Sequence, residues 1–109
     1  MIVNLLEDAV LERLVPELVA VYKPIKIYLF GSRSRGDHEP GSDYDIMLIV
    51  PDDSPKESRS FKLIYPFLWQ EGIAADVLVW TEAEFDGRLH LEASFPSSVV
   101  REGKLLYGS

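Results

Sequence analysis

Apolar residues recur at helical spacing near the start of the chain. These positions are Leu6, Val10, Leu14, Leu18 and Val21. A repeat of this kind places the side chains on one face of a helix. Pro16 falls inside the pattern, so it either kinks one helix or begins a second helix in its first turn. The pattern therefore predicts an N-terminal helical segment with one buried face.

Three later stretches have the apolar character of β-strands. Residues 25–30 are nearly all apolar, which is typical of a buried central strand. Residues 43–50 alternate at first and then become wholly apolar, and residues 73–80 form a third run. The first two runs are separated by the polar, glycine-rich residues 31–42, where Pro40-Gly41 marks a turn.

Helix signals lie between and after these strands. Residues 54–57 combine a serine cap, a first-turn proline and a glutamate, which predicts a helix that kinks at Pro66 and ends at Gly72. Residues 81–84 repeat the capping pattern, and residues 96–102 suggest a last helix that Gly103 closes. The expected fold is α/β (α+β): a small mixed β-sheet of about three to four strands flanked by helices.

Length and composition restrict the class of protein further. A chain of 109 residues suits one domain over residues 1–109, and its zero cysteines exclude disulfides and thiolate metal sites. The net charge of −7 argues against binding to nucleic acid, which favours a basic face. No apolar run reaches the roughly 18 residues of a membrane span, and no signal peptide precedes the first helix, so we expect a cytoplasmic protein.

Three aspartates stand next to apolar strand residues. Asp43 and Asp45 are two positions apart, so their side chains should leave the same face of a strand, and Asp76 interrupts the third apolar run. Burying unpaired carboxylates is costly, and converging carboxylates repel one another. A divalent cation resolves both problems, and Mg²⁺ prefers oxygen ligands. We therefore expect these acids to be metal ligands rather than ordinary strand-end aspartates.

The loop before these acids has the features of a phosphate cradle. Gly31 permits close approach of the backbone to a phosphate, and the Ser32 hydroxyl can donate to it. Arg33 and Arg35 could contact a triphosphate; Arg35 is the better candidate, but spacing alone leaves the choice open. If Gly31, Asp43 and Asp76 meet, the first strand must run toward the site and the other two away from it. This predicts that the first strand is antiparallel to the second.

Two motifs at a fixed spacing carry a family resemblance. Gly31-Ser32-Arg33-Ser34-Arg35-Gly36, followed by Ser42-Asp43-Tyr44-Asp45, resembles the signature of the DNA polymerase β-like nucleotidyltransferases. The Gly-Ser pair, ten residues and Asp-x-Asp is the form of the minimal nucleotidyltransferase branch, which includes antitoxins paired with HEPN ribonuclease toxins. The resemblance extends from the N-terminal helix through Asp76 to residues 101–107. Tyr44 and Ser34 depart mildly from the usual small aliphatic residue and alanine.

The resemblance implies a role for each motif residue. Asp43 and Asp45 would hold Mg²⁺ on the triphosphate. Asp76 would hold a second metal ion or activate the acceptor hydroxyl. Gly31 and Ser32 would bind the β- and γ-phosphates, with Arg35 and Ser42 also contacting the nucleotide.

The function that the resemblance implies is transfer of AMP from ATP to a hydroxyl group. The chain has little left to bind an acceptor, so the acceptor should come from a partner or a second copy. A tyrosine of a HEPN toxin is the expected acceptor. One alternative is a binding module that neutralises its partner by masking it; another is transfer to a small molecule such as an aminoglycoside. His38 and His90 are expected at the surface, and the Arg33-to-His38 spacing of HEPN ribonucleases is taken as coincidence.

Overall fold

The N-terminal segment is one helix. The computed structural model describes residues 8–31, 34, 36 and 43–108. Within them α1 runs from Ala9 to Tyr22, with Pro16 inside it on the exposed side. Pro16 therefore does not begin a second helix, which was one of the two outcomes that the sequence left open. The apolar face of α1 is fully buried in the core, at Leu11, Leu14, Val15 and Leu18.

The sheet has four strands in the order β3-β2-β1-β4. These are β1 (Lys26–Phe30), β2 (Tyr44–Val50), β3 (Ala75–Thr81) and β4 (Lys104–Tyr107). Strand β1 is antiparallel to β2 and β4, whereas β2 is parallel to β3. The predicted mixed sheet, with its first strand antiparallel to its second, is therefore confirmed.

Alternation along β2 divides its side chains between two cores. One face, with Tyr44, Ile46, Leu48 and Val50, belongs to the larger core that includes α1. The other face carries Asp45 and then Met47 and Ile49, which pack with Phe85 and Val99 in a second core. Because successive side chains of a strand point to opposite faces, Asp45 lies on the side opposite α1.

The segment between β2 and β3 differs from its prediction. A helix beginning at Ser54 was wrong, because residues 56–64 form two short 3₁₀ helices and α2 spans only Tyr65–Glu71. Pro66 explains the late start, since proline fits the first turn of an α-helix but breaks its interior. Ser60 has extended backbone and its side chain accepts a hydrogen bond from Lys62 N at 3.2 Å. The predicted end is confirmed, because Gly72 closes α2 in the left-handed conformation.

The last two helices begin at side-chain caps. Helix α3 (Glu82–Asp86) has a complete capping box between Thr81 and Glu84, as its sequence predicts. Helix α4 (Phe95–Glu102) is capped by Ser94 and leads through Gly103 into β4. Across the part of the chain that the structure describes, no helix has the length and apolarity needed to cross a membrane.

Candidate active site

Gly31 begins a turn directly at the end of β1. Its φ of +76° belongs to the left-handed region, where glycine alone carries no side-chain penalty. A Cβ atom at this position would overlap Asp45 Oδ2. The backbone amide of Ser34 donates to the Gly31 carbonyl at 3.1 Å, which closes the turn. The chain therefore leaves β1 directly against the Asp45 carboxylate, and only glycine leaves room for that contact.

Two of the three predicted acids are neighbours across the sheet. Asp45 and Asp76 are register partners on the parallel strands β2 and β3, and Phe30 is the partner of Asp45 on β1. The two carboxylates therefore leave the same face of the sheet in adjacent strands. They line a cleft of about 430 Å³ together with aromatic residues that include Phe30 and Phe95.

The three acids are less buried than their apolar neighbours in the sequence suggested. Asp43 and Asp76 are exposed, and Asp45 is only partly buried. β3 is an edge strand of the sheet, so the site end of this face opens to solvent. The cost of burying charge is therefore not the reason that a cation would bind here. A divalent cation would instead relieve the repulsion between the neighbouring carboxylates of Asp45 and Asp76.

Asp43 lies just before β2 and lines a different groove. This second groove has a volume of about 970 Å³ and is bordered by Asp43, Lys62, Tyr65 and Trp69, among other residues. Tyr65 lines both spaces, so the two grooves adjoin. Among the residues that the structure describes, no three acidic or histidine side chains are grouped closely enough to hold a metal ion. A site formed by all three aspartates thus stays a prediction.

The pair formed by Asp45 and Asp76 has the chemistry that Mg²⁺ requires. Mg²⁺ is commonly held by one or two carboxylates while waters and substrate phosphates complete its shell. Two oxygen donors on adjacent strands, next to a turn whose glycine admits close approach, fit that description. Four other residues considered for the loop, Ser32, Arg33, Arg35 and Ser42, lie outside the described residues, as does His38. The contacts of the first four residues with the nucleotide remain predictions.

Both departures from the motif pattern make hydrogen bonds that the sequence did not reveal. Ser34 Oγ, which is buried, donates to the Gly31 carbonyl at 2.8 Å and lies 3.3 Å from the Glu102 carbonyl. The Tyr44 hydroxyl donates to the Asp8 carboxylate, with 2.8 Å to Oδ2. Asp8 was predictable as a helix cap from its residue type, but its link to Tyr44 spans 36 residues.

Exposed aromatic side chains stand beside both grooves. Phe61 and Tyr65 are in edge-on contact, with ring centroids 5.6 Å apart, and both line the cleft of Asp45 and Asp76. Trp69, on the second groove, is 90% exposed. The exposure of Phe61 and Trp69 excludes both side chains from the core. We refer to Phe61, Tyr65 and Trp69 together as the aromatic ridge.

A mixed sheet that pairs two carboxylates against a glycine turn is the arrangement expected of a nucleotidyltransferase. The family model described as a nucleotidyltransferase domain matches residues 11–106 of this chain. A Methanocaldococcus jannaschii protein, provisionally named a protein adenylyltransferase, is 33% identical over 82 residues, which are 75% of this chain and 77% of that protein. The chain belongs to the nucleotidyltransferase domain family, and its activity is nucleotidyl transfer.

Solved structures agree with this assignment. A chain of a toxin–antitoxin structure with AMP-PNP matches with a TM-score of 0.59 and 27% identity, covering 90% of this chain and 73% of that one. A chain in the complex of a tri-AMPylated Shewanella oneidensis HEPN toxin with an MNT antitoxin has a TM-score of 0.52 and 23% identity, covering 90% and 70%. The second likeness shows the fold alone.

Proposed function

We propose that this chain transfers AMP from ATP to a hydroxyl group of a partner protein, with Mg²⁺ as the cofactor. The observation that carries the proposal is the pairing of Asp45 with Asp76 against Gly31. Its support from relatives is the adenylyltransferase name of the archaeal protein and the AMP-PNP in the toxin–antitoxin structure. The partner that fits best is a HEPN toxin whose tyrosine accepts AMP, so the chain acts as an antitoxin.

The reaction is an in-line displacement at the α-phosphorus of ATP. The acceptor oxygen forms a bond to the α-phosphorus, while the bond from this phosphorus to the bridging oxygen of the β-phosphate breaks. Pyrophosphate leaves, and the acceptor's proton passes to a carboxylate such as Asp76 or to water. Bound Mg²⁺ supplies charge neutralisation for the triphosphate and the leaving group.

The protein's own groups then act mainly by positioning. Asp45 and Asp76 would hold the Mg²⁺ ion that binds the nucleotide phosphates, and Asp43 would contribute a third carboxylate from the neighbouring groove. Gly31 allows the phosphates to approach the backbone, and Ser32, Arg35 and Ser42 contact the nucleotide. Holding the acceptor and the α-phosphorus in the reacting geometry provides much of the rate acceleration in reactions of this type.

The aromatic ridge supports a protein as the acceptor rather than a small molecule. Trp69 is 90% exposed and Phe61 and Tyr65 are close to half exposed, beside the grooves that carry the three acids. Exposed tryptophan and tyrosine side chains are typical of the residues that dominate protein interfaces. The net charge of −7 favours a basic partner, as expected of a toxin that binds RNA.

Masking of the partner is the second candidate function, and the exposure of Trp69 favours it as well. One experiment separates the two. The chain is incubated with ATP labelled at the α-phosphate, Mg²⁺ and the protein encoded by the adjacent gene. Label transfer that disappears in the Asp43→Ala/Asp45→Ala double variant supports catalysis. Neutralisation of the partner that survives in this variant, without label transfer, supports masking as the means of neutralisation. Absence of label transfer by the wild type contradicts the enzymatic proposal.

A further inference from the structure

Tyr44 lies between two of the acids but points to the other side of the sheet. Its side chain belongs to the larger core and is only 7% exposed. Its hydroxyl lies 2.8 Å from Asp8 Oδ2 and 3.1 Å from Asp8 Oδ1. Tyr44 is therefore held on the α1 side of the sheet by the carboxylate of Asp8, which lies 36 residues earlier in the chain.

The same Asp8 carboxylate begins helix α1. Asp8 Oδ1 accepts hydrogen bonds from the backbone amides of Val10 at 2.8 Å and Leu11 at 3.2 Å. These amides are among the donors that a helix leaves unsatisfied at its first turn. One side chain thus joins the first turn of α1 to the first residue of β2.

The backbone of Tyr44 is fixed as well. Its amide donates to the Ala74 carbonyl at 3.0 Å, and Tyr44 is the register partner of Ala75 on β3. A strand residue that is held through both its backbone and its side-chain tip cannot rotate about the strand axis without breaking one of these contacts. Such a rotation would swing the side chains of Asp43 and Asp45, because they lie on either side of Tyr44 in sequence.

We propose that Tyr44 and Asp8 are positioning residues, which hold the start of β2 in the orientation that lets Asp43 and Asp45 bind a divalent cation. This inference rests on the metal site of the proposed function. The hydroxyl matters more than the ring, because the ring alone packs in the core whereas the hydroxyl makes the connection to α1.

Tyr22 offers a matched control for the loss of one tyrosine hydroxyl. It is 4% exposed, and its hydroxyl donates to the Ser60 carbonyl at 2.7 Å. Tyr22→Phe therefore removes a comparable buried hydrogen bond, but at the opposite end of α1 from Asp8. A purely structural role for Tyr44 predicts that Tyr22→Phe and Tyr44→Phe behave alike.

The test measures binding of Mn²⁺, as a probe for Mg²⁺, by electron paramagnetic resonance of the free ion, without nucleotide or partner. We expect Tyr44→Phe to bind Mn²⁺ about tenfold more weakly than the wild type, which is the lower end of the loss seen when groups that orient metal ligands are removed. Tyr22→Phe should bind like the wild type. Equal binding by the two tyrosine variants would overturn the inference.

A second pair of variants keeps the test decisive if Tyr44→Phe does not fold. Asparagine is also a good helix cap. Its one carbonyl oxygen can replace Asp8 Oδ1, which caps α1 and lies 3.1 Å from the Tyr44 hydroxyl, and its amide nitrogen can donate to the hydroxyl oxygen, whereas alanine does neither. Asp8→Asn should therefore retain Mn²⁺ affinity, and Asp8→Ala should lose about as much as Tyr44→Phe. Unchanged affinity in Asp8→Ala contradicts the proposal.

Nucleotide transfer is then measured separately. If the wild type transfers AMP and Tyr44→Phe binds Mn²⁺ like Tyr22→Phe, the inference fails and the proposed function stands. If the wild type transfers no AMP but Tyr44→Phe binds Mn²⁺ more weakly, the function fails and the inference stands. A wild type that binds no Mn²⁺ in the absence of nucleotide overturns the inference, and one that also transfers no AMP overturns both.

Discussion

Asp45 and Asp76 occupy facing positions on two parallel strands, so that two negative charges lie side by side on an open face of the sheet. Facing like charges destabilise a sheet, and Asp76 is exposed on an edge strand, where packing does not require aspartate. We therefore attribute the pair to binding rather than to folding. Substitutions of these acids should separate their effect on activity from their effect on stability.

Neutralising either acid should reduce activity, and neutralising the exposed Asp76 should do so without a loss of stability. We expect Asp45→Asn and Asp76→Asn each to reduce AMP transfer by on the order of 10²–10³-fold, because a lost metal ligand removes several kcal/mol of charge stabilisation. For Asp76→Asn the free energy of unfolding should stay the same or rise by up to about 1 kcal/mol, since the repulsion between like charges is removed. Urea unfolding and label transfer measure the two quantities. Asp53→Asn, which removes an exposed charge after the opposite end of β2, should change neither.

The capping box of α3 should make stability depend on pH. The backbone amide and hydroxyl of Thr81 donate to Glu84 at 2.8 and 3.0 Å, and the backbone hydrogen bond is the main cause that lowers the pKa of Glu84. A lowered pKa means that the charged form stabilises the fold above the ordinary glutamate pKa of 4.5, and that this contribution is lost as pH falls through the folded-state value.

Glu84→Gln isolates this effect, because glutamine can complete a capping box but does not titrate. Urea unfolding at neutral pH should show the wild type to be more stable than Glu84→Gln, with the difference disappearing in acid. Glu84→Ala, which removes the cap, should be less stable than Glu84→Gln at both pH values. A difference between wild type and Glu84→Gln that grows in acid would contradict the assignment.

Much of the sheet could be predicted because its signals are local. The apolar runs gave three of the four strands, and the need to bring Gly31, Asp43 and Asp76 together gave the direction of β1 relative to β2. The meeting of the acids was predicted because Asp43 and Asp76 lie early in their strands. The structure pairs Asp45 with Asp76 and places Asp43 at the neighbouring groove. The fourth strand, Lys104–Tyr107, was harder to assign because it is short and follows a helix directly.

Other features depend on competition or on distant contacts. At Ser54 a good local cap was overridden, because an α-helix from there would have enclosed Pro66. The exposure of Asp76 could not be read from its apolar neighbours, since β3 turned out to be an edge strand. The hydrogen bond between Tyr44 and Asp8 joins residues 36 apart, and no periodic pattern encodes such a contact.

Trp69 should matter for the partner and hardly at all for the fold. A side chain that is 90% exposed buries little surface, so Trp69→Ala should change the free energy of unfolding by less than about 0.5 kcal/mol. If the aromatic ridge receives the acceptor protein, the same change should weaken binding by about 2 kcal/mol, as measured by calorimetry. Leu91→Ala, which truncates an exposed apolar side chain outside both grooves, is the control. Equal affinities of Trp69→Ala and Leu91→Ala would exclude the ridge as the docking surface.

Gly31 combines two demands that a pair of variants can separate. Both Gly31 and Gly72 have positive φ, +76° and +67°, so replacing either with alanine should cost on the order of 1 kcal/mol of stability through backbone strain. At Gly72 the added methyl group meets nothing within 4 Å, whereas at Gly31 it would collide with the Asp45 carboxylate.

Gly31→Ala should therefore lose stability beyond that shared strain and should also bind Mn²⁺ more weakly, because the Asp45 carboxylate must leave the position that it now occupies. Gly72→Ala should lose stability alone and bind Mn²⁺ like the wild type. Thermal unfolding and Mn²⁺ titration of the two variants provide the comparison. If both variants bind Mn²⁺ equally well, then displacement of Asp45 does not change the affinity for the metal ion. The close contact between Asp45 and Gly31 would then have no part in shaping the metal site.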